Sequence, residues 1–374
     1  MDDSPIGRAT RTVAAHAERS ERERRLGAEV ADVLTAAGFA RHFVPSGWGG
    51  VDGGFAELTE RTAEVAEGCA SAAWCAALWA AHARFARYLP PAGQRDIWGA
   101  SPDVRIAAAV APPFGTAVPA AAGDGGGWRL SGEWGRASGV DLAAWVLLTA
   151  REAHDSGRGP RVFAVPRSEV TVRDTWDSVG MRGTGSNTVL ADDVLVPGHR
   201  SFLLADLTRG DSDPAAPRCH TAPTHLAGGL LFCAPALGAA RRALQLWSDW
   251  AAGKADAHGR PNHEDPSVRE TLARASAGID AAHLLLAEAA RRADDEPVTE
   301  LAVARNWRDA AVAADLLVTV VERLLRTGGA HVRDGGGELQ RLWRDVHTIG
   351  SHGVLRLEPA AGAYAAALFA VGGA

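Results

Sequence analysis

Histidine is the side chain whose ordinary pKa lies nearest neutral pH, so it is the first place to look for proton transfer. The chain of 374 residues has thirteen. His82 falls in an apolar stretch with Trp74, Leu78 and Phe85 on neighbouring helical turns. His347 and His352 lie five residues apart near the C-terminus, roughly 140° around a helix. At most one of that pair faces a given site squarely. Hydroxyls form a second set. Ser138 precedes Gly139, and Thr184 and Ser186 alternate with Gly183 and Gly185. Those glycines would let backbone or a bound group approach closely. By residue type alone the histidines read first as core or surface residues and the hydroxyls as turn residues.

Other chemistries lack their residues. The four cysteines, Cys69, Cys75, Cys219 and Cys233, form no Cys-x-x-Cys pair and no zinc or disulfide spacing, so buried free thiols are expected. No His-Glu-x-x-His, EF-hand or Ser-His-Asp context is present, and no metal site is expected; His258, His263 and Glu264 share a loop but make a poor one. No Gly-x-Gly-x-x-Gly follows a strand, which argues against a Rossmann nicotinamide site. The net charge of −6 is spread along the chain, unlike a nucleic-acid footprint. The start, Met1-Asp-Asp-Ser-Pro, has no basic and apolar leader pattern, and the apolar stretch 360–374 is too short and Gly-rich to span a bilayer. A cytoplasmic protein is the expectation.

The elements that must position these residues fall into three textures. Residues 8–37, 55–67, 70–89 and 92–99 show helical spacing, with Gly38 as a C-terminal stop and Pro90-Pro91 ending the third helix. From about 103 to 200 the pattern is short β-type runs at 105–110, 128–134, 144–150, 161–166, 171–175 and 188–197, broken by Gly, Pro and Asp. Gly123 to Gly127 reads as a hairpin turn. Helical spacing returns at 222–253, 265–292, 297–330 and 336–367, with turns at Gly259, Pro297 and Gly335–Gly337, which predicts an antiparallel bundle. The expected fold is mainly α with a central β-domain: an N-terminal helical domain over 1–102, a middle β-barrel or sandwich over 103–213, and a C-terminal four-helix bundle over 214–374.

Motifs agree with that order. Ser178-Val-Gly-Met-Arg-Gly-Thr-Gly-Ser-Asn-Thr-Val with Asp193-Val-Leu-Val-Pro197, and Arg341-Leu-Trp-Arg-Asp345, resemble signatures of the acyl-CoA dehydrogenase superfamily. Ser71-Ala-Ala-Trp74 with His82, Gly132-Glu-Trp-Gly-Arg-Ala-Ser-Gly139, Thr184-Gly-Ser186 and Arg344-Asp-Val-His347 resemble one branch of it, the oxygenase components of two-component flavin monooxygenases. The likeness covers essentially the whole chain.

The resemblance implies reduced FMN, or FAD, as cofactor, supplied by a separate NAD(P)H-flavin reductase, and dioxygen activation through a C4a-hydroperoxide. It implies hydroxylation of a small aromatic or amine substrate, in a homotetramer and in secondary or antibiotic metabolism. Ser138 is expected beside flavin N5, with Thr184, Ser186 and Trp134 completing the cofactor contacts, although Trp134 also suits a β-core. His352 and His82 are expected to do acid–base work, with His347 in reserve. Pro112-Pro-Phe-Gly-Thr116 falls where relatives contact the pyrimidine ring, and Arg323, Arg326 and Arg333 lie near where dehydrogenase relatives hold a pyrophosphate.

Two other readings stay open. An acyl-CoA dehydrogenase-like FAD oxidoreductase needs a carboxylate base, usually a Glu shortly after the Arg-Asp pair. Here that stretch is Ile349-Gly-Ser-His-Gly353, with His352 in the place of the Glu. A flavin-independent or non-catalytic member of the fold would bind no flavin in either redox state.

Overall fold

In the computed structural model, residues 3–372 are described apart from 113, 122–125, 154–156, 212, 214, 256–258 and 330–336. His258, Arg333, Pro113 and most of the Gly335–Gly337 and Gly123–Gly127 turns thus lie outside the described residues.

Helix α1 (Pro5–Glu23) starts at Ser4, whose Oγ accepts the Gly7 N–H at 2.9 Å, with Pro5 in the first turn. The single helix expected over 8–37 breaks at Arg24, where φ is +57°, and resumes as α2 (Ala28–Ala36). The break is set by distant partners: Arg24 and Arg25 both reach Asp174, and periodicity carries no sign of that. Gly38 adopts φ +86° after α2. Helices α3 (Phe55–Gly68), α4 (Ala70–Ala86) and α5 (Pro91–Trp98) follow the expected spans. Helix α4 is buried on nearly every side, as its apolar composition all round requires.

The β region is one eight-stranded sheet among the described residues. Its strands are β1 (Ile106–Ala109), β2 (Gly115–Pro119), β3 (Trp128–Ala137), β4 (Trp145–Glu152), β5 (Arg161–Pro166), β6 (Thr171–Arg173), β7 (Asn187–Val196) and β8 (Ser201–Leu203). The order is β6-β7-β3-β2-β4-β5-β8, with β1 pairing β4 in parallel. Strands β2 and β8 were not anticipated from the sequence. Gly115 and Pro119 bound β2 and disguise it as a turn. Gly115 is nonetheless required there, since a Cβ would meet the Trp134 ring.

The chain then passes through α6 (Leu204–Arg209) and α7 (Arg218–Thr221) into α8 (Thr224–Ala252), α9 (Pro266–Asp295) and α10 (Glu300–Thr327). The last helix expected, 336–367, is two: α11 (Glu338–Gly350) and α12 (Leu357–Gly372). One apolar core joins α3 and α4 to α8–α11. Helix α8 crosses α3 at Gly238, where a Cβ would lie 1.9 Å from the Ala63 carbonyl oxygen. The N-terminal helices and the bundle are therefore packed as one body, with α4 passing under the sheet.

Candidate active site

Strand β3 pairs antiparallel with β7, and Ala137 stands opposite Asn187. Ser138 leaves β3 just as Ser186 enters β7, so register alone sets them side by side. Their Oγ atoms are 2.7 Å apart. Gly139, at φ +68°, turns the chain away and donates its N–H to the Thr184 carbonyl at 2.8 Å. A bulge between Trp134 and Ala137 brings Arg136 to φ +64°; bulges re-aim side chains in this way.

Four side chains and one carbonyl form a continuous chain. Trp74 Nε1 donates to Ser138 Oγ at 3.2 Å. Ser138 and Ser186 share a bond of 2.7 Å, as do Ser186 and Thr184. Thr184 Oγ1 donates to the Met181 carbonyl at 2.9 Å. Ser138, Ser186 and Thr184 are all buried. Met181 is itself held in a left-handed conformation, φ +53°, by Asp345, whose carboxylate accepts its N–H at 2.5 Å. Burial raises Asp345 to about 7, and the Met181 hydrogen bond works against that rise. Its neighbour Arg344 donates to Glu21 at 2.7 Å and to the Val179 carbonyl at 2.5 Å. The Arg-Asp pair of the sequence motif thus pins α11 to α1 and to the loop that carries the hydroxyls.

His352 is not on a long helix. It follows the end of α11, in the turn before α12, and its Nδ1 accepts the Val354 N–H at 3.3 Å. That assigns the ring proton to Nε2 in the neutral form. Its ring stacks on Phe232 of α8, with centroids 4.3 Å apart and planes 19° apart, and meets the edge of Trp74 at 5.6 Å. Trp74 and Phe232 are themselves 5.0 Å apart. Burial lowers the His352 pKa, and the charge on Arg136 lowers it further. The structure therefore brings together His352, Trp74, Ser138, Ser186 and Thr184.

The other expected residues have partners of their own. His82 Nδ1 bonds the Ile106 carbonyl at 2.8 Å, tying α4 to β1, and burial lowers its pKa to about 4. Trp134 lies inside the β-core, with Nε1 on the Thr149 carbonyl at 2.8 Å and its ring against Gly115 and Gly132. The side chain thus has a packing role in the sheet interior. His347 turns to α10, where its Nε2 is 3.5 Å from Glu322 and it lines a cavity of about 550 Å³ with Arg323 and Arg326. Nothing in the sequence marks Phe232 or Arg136 for this place. Phe232 sits in a uniformly apolar helix, and the turn of Arg136 depends on a bulge.

The four cysteines are buried and free, and burial raises all four thiols, Cys69 to about 11. One Asp-Cys-His group exists among the described residues: Asp52, Cys219 and His220. Its His220 Nε2 is bonded to Asp52 at 2.9 Å, and burial pushes the Cys219 thiol up to about 12. A protonated thiol and the nearby charges of Arg84 and Arg87 make this a structural hydrogen bond.

The helix–sheet–bundle order and the polar chain between sheet and bundle define an acyl-CoA dehydrogenase-type flavoprotein fold; residues 230–356 match the family described as acyl-CoA dehydrogenase, C-terminal domain. More narrowly, the chain belongs to the flavin-dependent monooxygenases, as an oxygenase component of the two-component type. It is 33% identical to the FADH2-dependent resorcinol hydroxylase, oxygenase component, of Rhizobium sp. (strain MTP-10005), covering 90% of this chain and 86% of that one. It is 30% identical to the oxygenase subunit HsaA of Rhodococcus jostii (strain RHA1), covering 90% of each. The structure of XiaF from Streptomyces sp., in complex with FADH2 and glycerol, superimposes with a TM-score of 0.91 at 27% identity, over 98% of this chain and 94% of that one. The protein is thus an oxidoreductase that works with a flavin and with a separate reductase. No helix among the described residues is long and apolar enough to cross a membrane.

The residues present fit a flavin. Ser138 Oγ receives the Trp74 N–H; because the Thr184 proton goes to the Met181 carbonyl, the hydrogens shared along the row run from Ser138 to Ser186 to Thr184, which leaves Ser138 a lone pair with no partner among the described residues. A buried oxygen with a spare lone pair suits the polar edge of an isoalloxazine.

Proposed function

We propose that the protein hydroxylates a small aromatic substrate of the phenol type, using reduced flavin and dioxygen. The relative from Rhizobium carries resorcinol in its name, which supports a phenol over an amine. Two relatives carry FADH2 in their names, so reduced FAD is to be tried beside the reduced FMN expected from the sequence. The observation that carries the proposal is the placement of His352, where dehydrogenases have a carboxylate, against Trp74, whose indole N–H ends on Ser138.

Bound reduced flavin supplies the electrons that activate dioxygen. The chain's own residues do the rest. Ser138, with its free lone pair, would accept a hydrogen bond from the N–H at N5 and so keep that hydrogen in place. Thr184 and Ser186 fix Ser138 from behind. Trp74 and Phe232 cover the site with apolar surface and keep water out. His352, kept neutral by burial and by Arg136, presents its proton at Nε2 and hydrogen-bonds the reacting oxygen or the substrate hydroxyl. His82 at about 4 stays neutral and supports α4 rather than transferring protons. The dehydrogenase alternative finds its usual carboxylate missing from the stretch after the Arg-Asp pair: along the chain Glu358 is exposed and paired with Arg356, and Asp345 is committed to Met181.

The exposed side chains Leu284 of α9 and Phe369 of α12 support a homo-oligomer, for which a tetramer is proposed. A cytoplasmic location accords with a reductase partner that draws on NAD(P)H. The function is tested with resorcinol, reduced flavin and ¹⁸O₂. One labelled oxygen in the product is expected; a product labelled only from water would overturn the assignment.

A further inference from the structure

The hydrogen-bond chain has a direction, because both of its ends are fixed. An indole N–H can only donate, and a carbonyl can only accept. The one proton of Thr184 goes to the Met181 carbonyl. Ser186 must then donate to Thr184, and Ser138 must donate to Ser186. Ser138 receives the Trp74 N–H and is left an acceptor, with no proton to offer.

The two redox states of a flavin differ at the atom facing such an oxygen. Reduced flavin carries a hydrogen on N5 and donates; oxidised flavin has a bare N5 and accepts. We infer that the polarised chain from Trp74 to the Met181 carbonyl makes the site select reduced over oxidised flavin, and that Thr184 is the positioning residue that sets the polarity. To donate to an oxidised N5, Ser138 would need its proton back, Ser186 and Thr184 would have to reverse, and the Thr184 bond to Met181 would be lost. Met181 cannot swing to follow, since Asp345 holds its N–H and Trp176 Nε1 also binds its carbonyl, at 3.0 Å. This rests on Ser138 lying beside N5, and no proton leaves the chain: each hydroxyl keeps one.

The test is a ratio of affinities. FMN and FAD are titrated into the full-length protein, oxidised in air and dithionite-reduced under nitrogen. Thr184→Val keeps the shape but removes the terminal donor, freeing Ser186 to donate to Ser138 and Ser138 to donate to oxidised N5. The preference for reduced flavin should narrow by about threefold to tenfold, the equivalent of one net hydrogen bond. Ser186→Ala breaks the chain one hydroxyl nearer and should narrow it as well, so the test survives if one variant fails to fold. A purely structural loss would weaken both redox states equally and leave the ratio where it was. If Ser138→Ala narrows the ratio while Thr184→Val and Ser186→Ala leave it unchanged, the polarity is overturned and Ser138 at N5 stands. If none of the three changes it, Ser138 is not beside N5 and both fall.

Discussion

Phe232 stacks on His352 with ring centroids 4.3 Å apart and planes 19° apart. The contact joins a helix of the bundle to the turn after α11, and it is what holds the imidazole against Trp74. A histidine fixed this way, neutral and with its proton on Nε2, is an oriented donor. His352→Ala should lower hydroxylation by about 10²–10⁴-fold, the usual worth of positioned proton transfer, with reduced-flavin affinity changed little. Phe232→Ala should act in the same direction but more weakly, because the ring is loosened and not removed. Product yield per flavin oxidised, measured beside flavin binding, separates the two effects.

The Arg136 charge helps keep His352 neutral. Below its pKa histidine is charged, so removing a neighbouring cation favours the charged form and raises that pKa. Arg136→Gln should therefore move the acid limb of the pH–rate profile to higher pH. His82, at about 4, contributes no inflection near neutrality. An acid limb that stays in place would show that His352 is not the titrating group.

Asp345 is raised from 3.8 to about 7 by burial. The folded protein then holds a proton that the unfolded chain has released between those values. Its contribution makes stability fall as pH rises from about 4 through about 7, and level off above. The full effect is bounded by roughly 4 kcal/mol, the free-energy equivalent of that interval. Asp345→Asn still offers an oxygen to the Met181 N–H but has no proton to lose. Its unfolding midpoint should gain on the natural protein as pH is raised from 5 to 8. Parallel curves across that range would contradict the placement of the proton.

Gly238 tests the joint between the N-terminal helices and the bundle. A Cβ there would fall 1.9 Å from the Ala63 carbonyl oxygen, so Gly238→Ala must push α3 and α8 apart. A cost of about 1–3 kcal/mol is expected for such overpacking, read as a lowered denaturation midpoint with unchanged denaturant slope.

Much of this site is legible in the sequence, for definable reasons. Ser138, Thr184 and Ser186 stand in glycine-flanked motifs, and strand register then brings them together with no further information. His352 stands out by type and motif, yet its segment reads as one helix through 336–367, whereas the chain breaks there into α11 and α12. Trp134 stands in the motif that carries Ser138, and its side chain fills the sheet interior, as its place in a β-run also suggests. Phe232 was invisible because α8 is apolar on most faces and periodicity cannot say which ring meets a histidine from another helix. The structural part of the Arg-Asp motif, Asp345 on Met181 and Arg344 on Glu21 and Val179, depends on contacts more than 160 residues apart in sequence.

A protein that holds reduced flavin should govern the rate at which that flavin reacts with dioxygen. The direct measurement mixes the reduced flavin–protein complex with oxygenated buffer in a stopped-flow instrument and follows the return of oxidised-flavin absorbance. A clear delay relative to free reduced flavin is predicted, shortened by Ser138→Ala. Return at the rate of free flavin, with or without the protein, would contradict the claim.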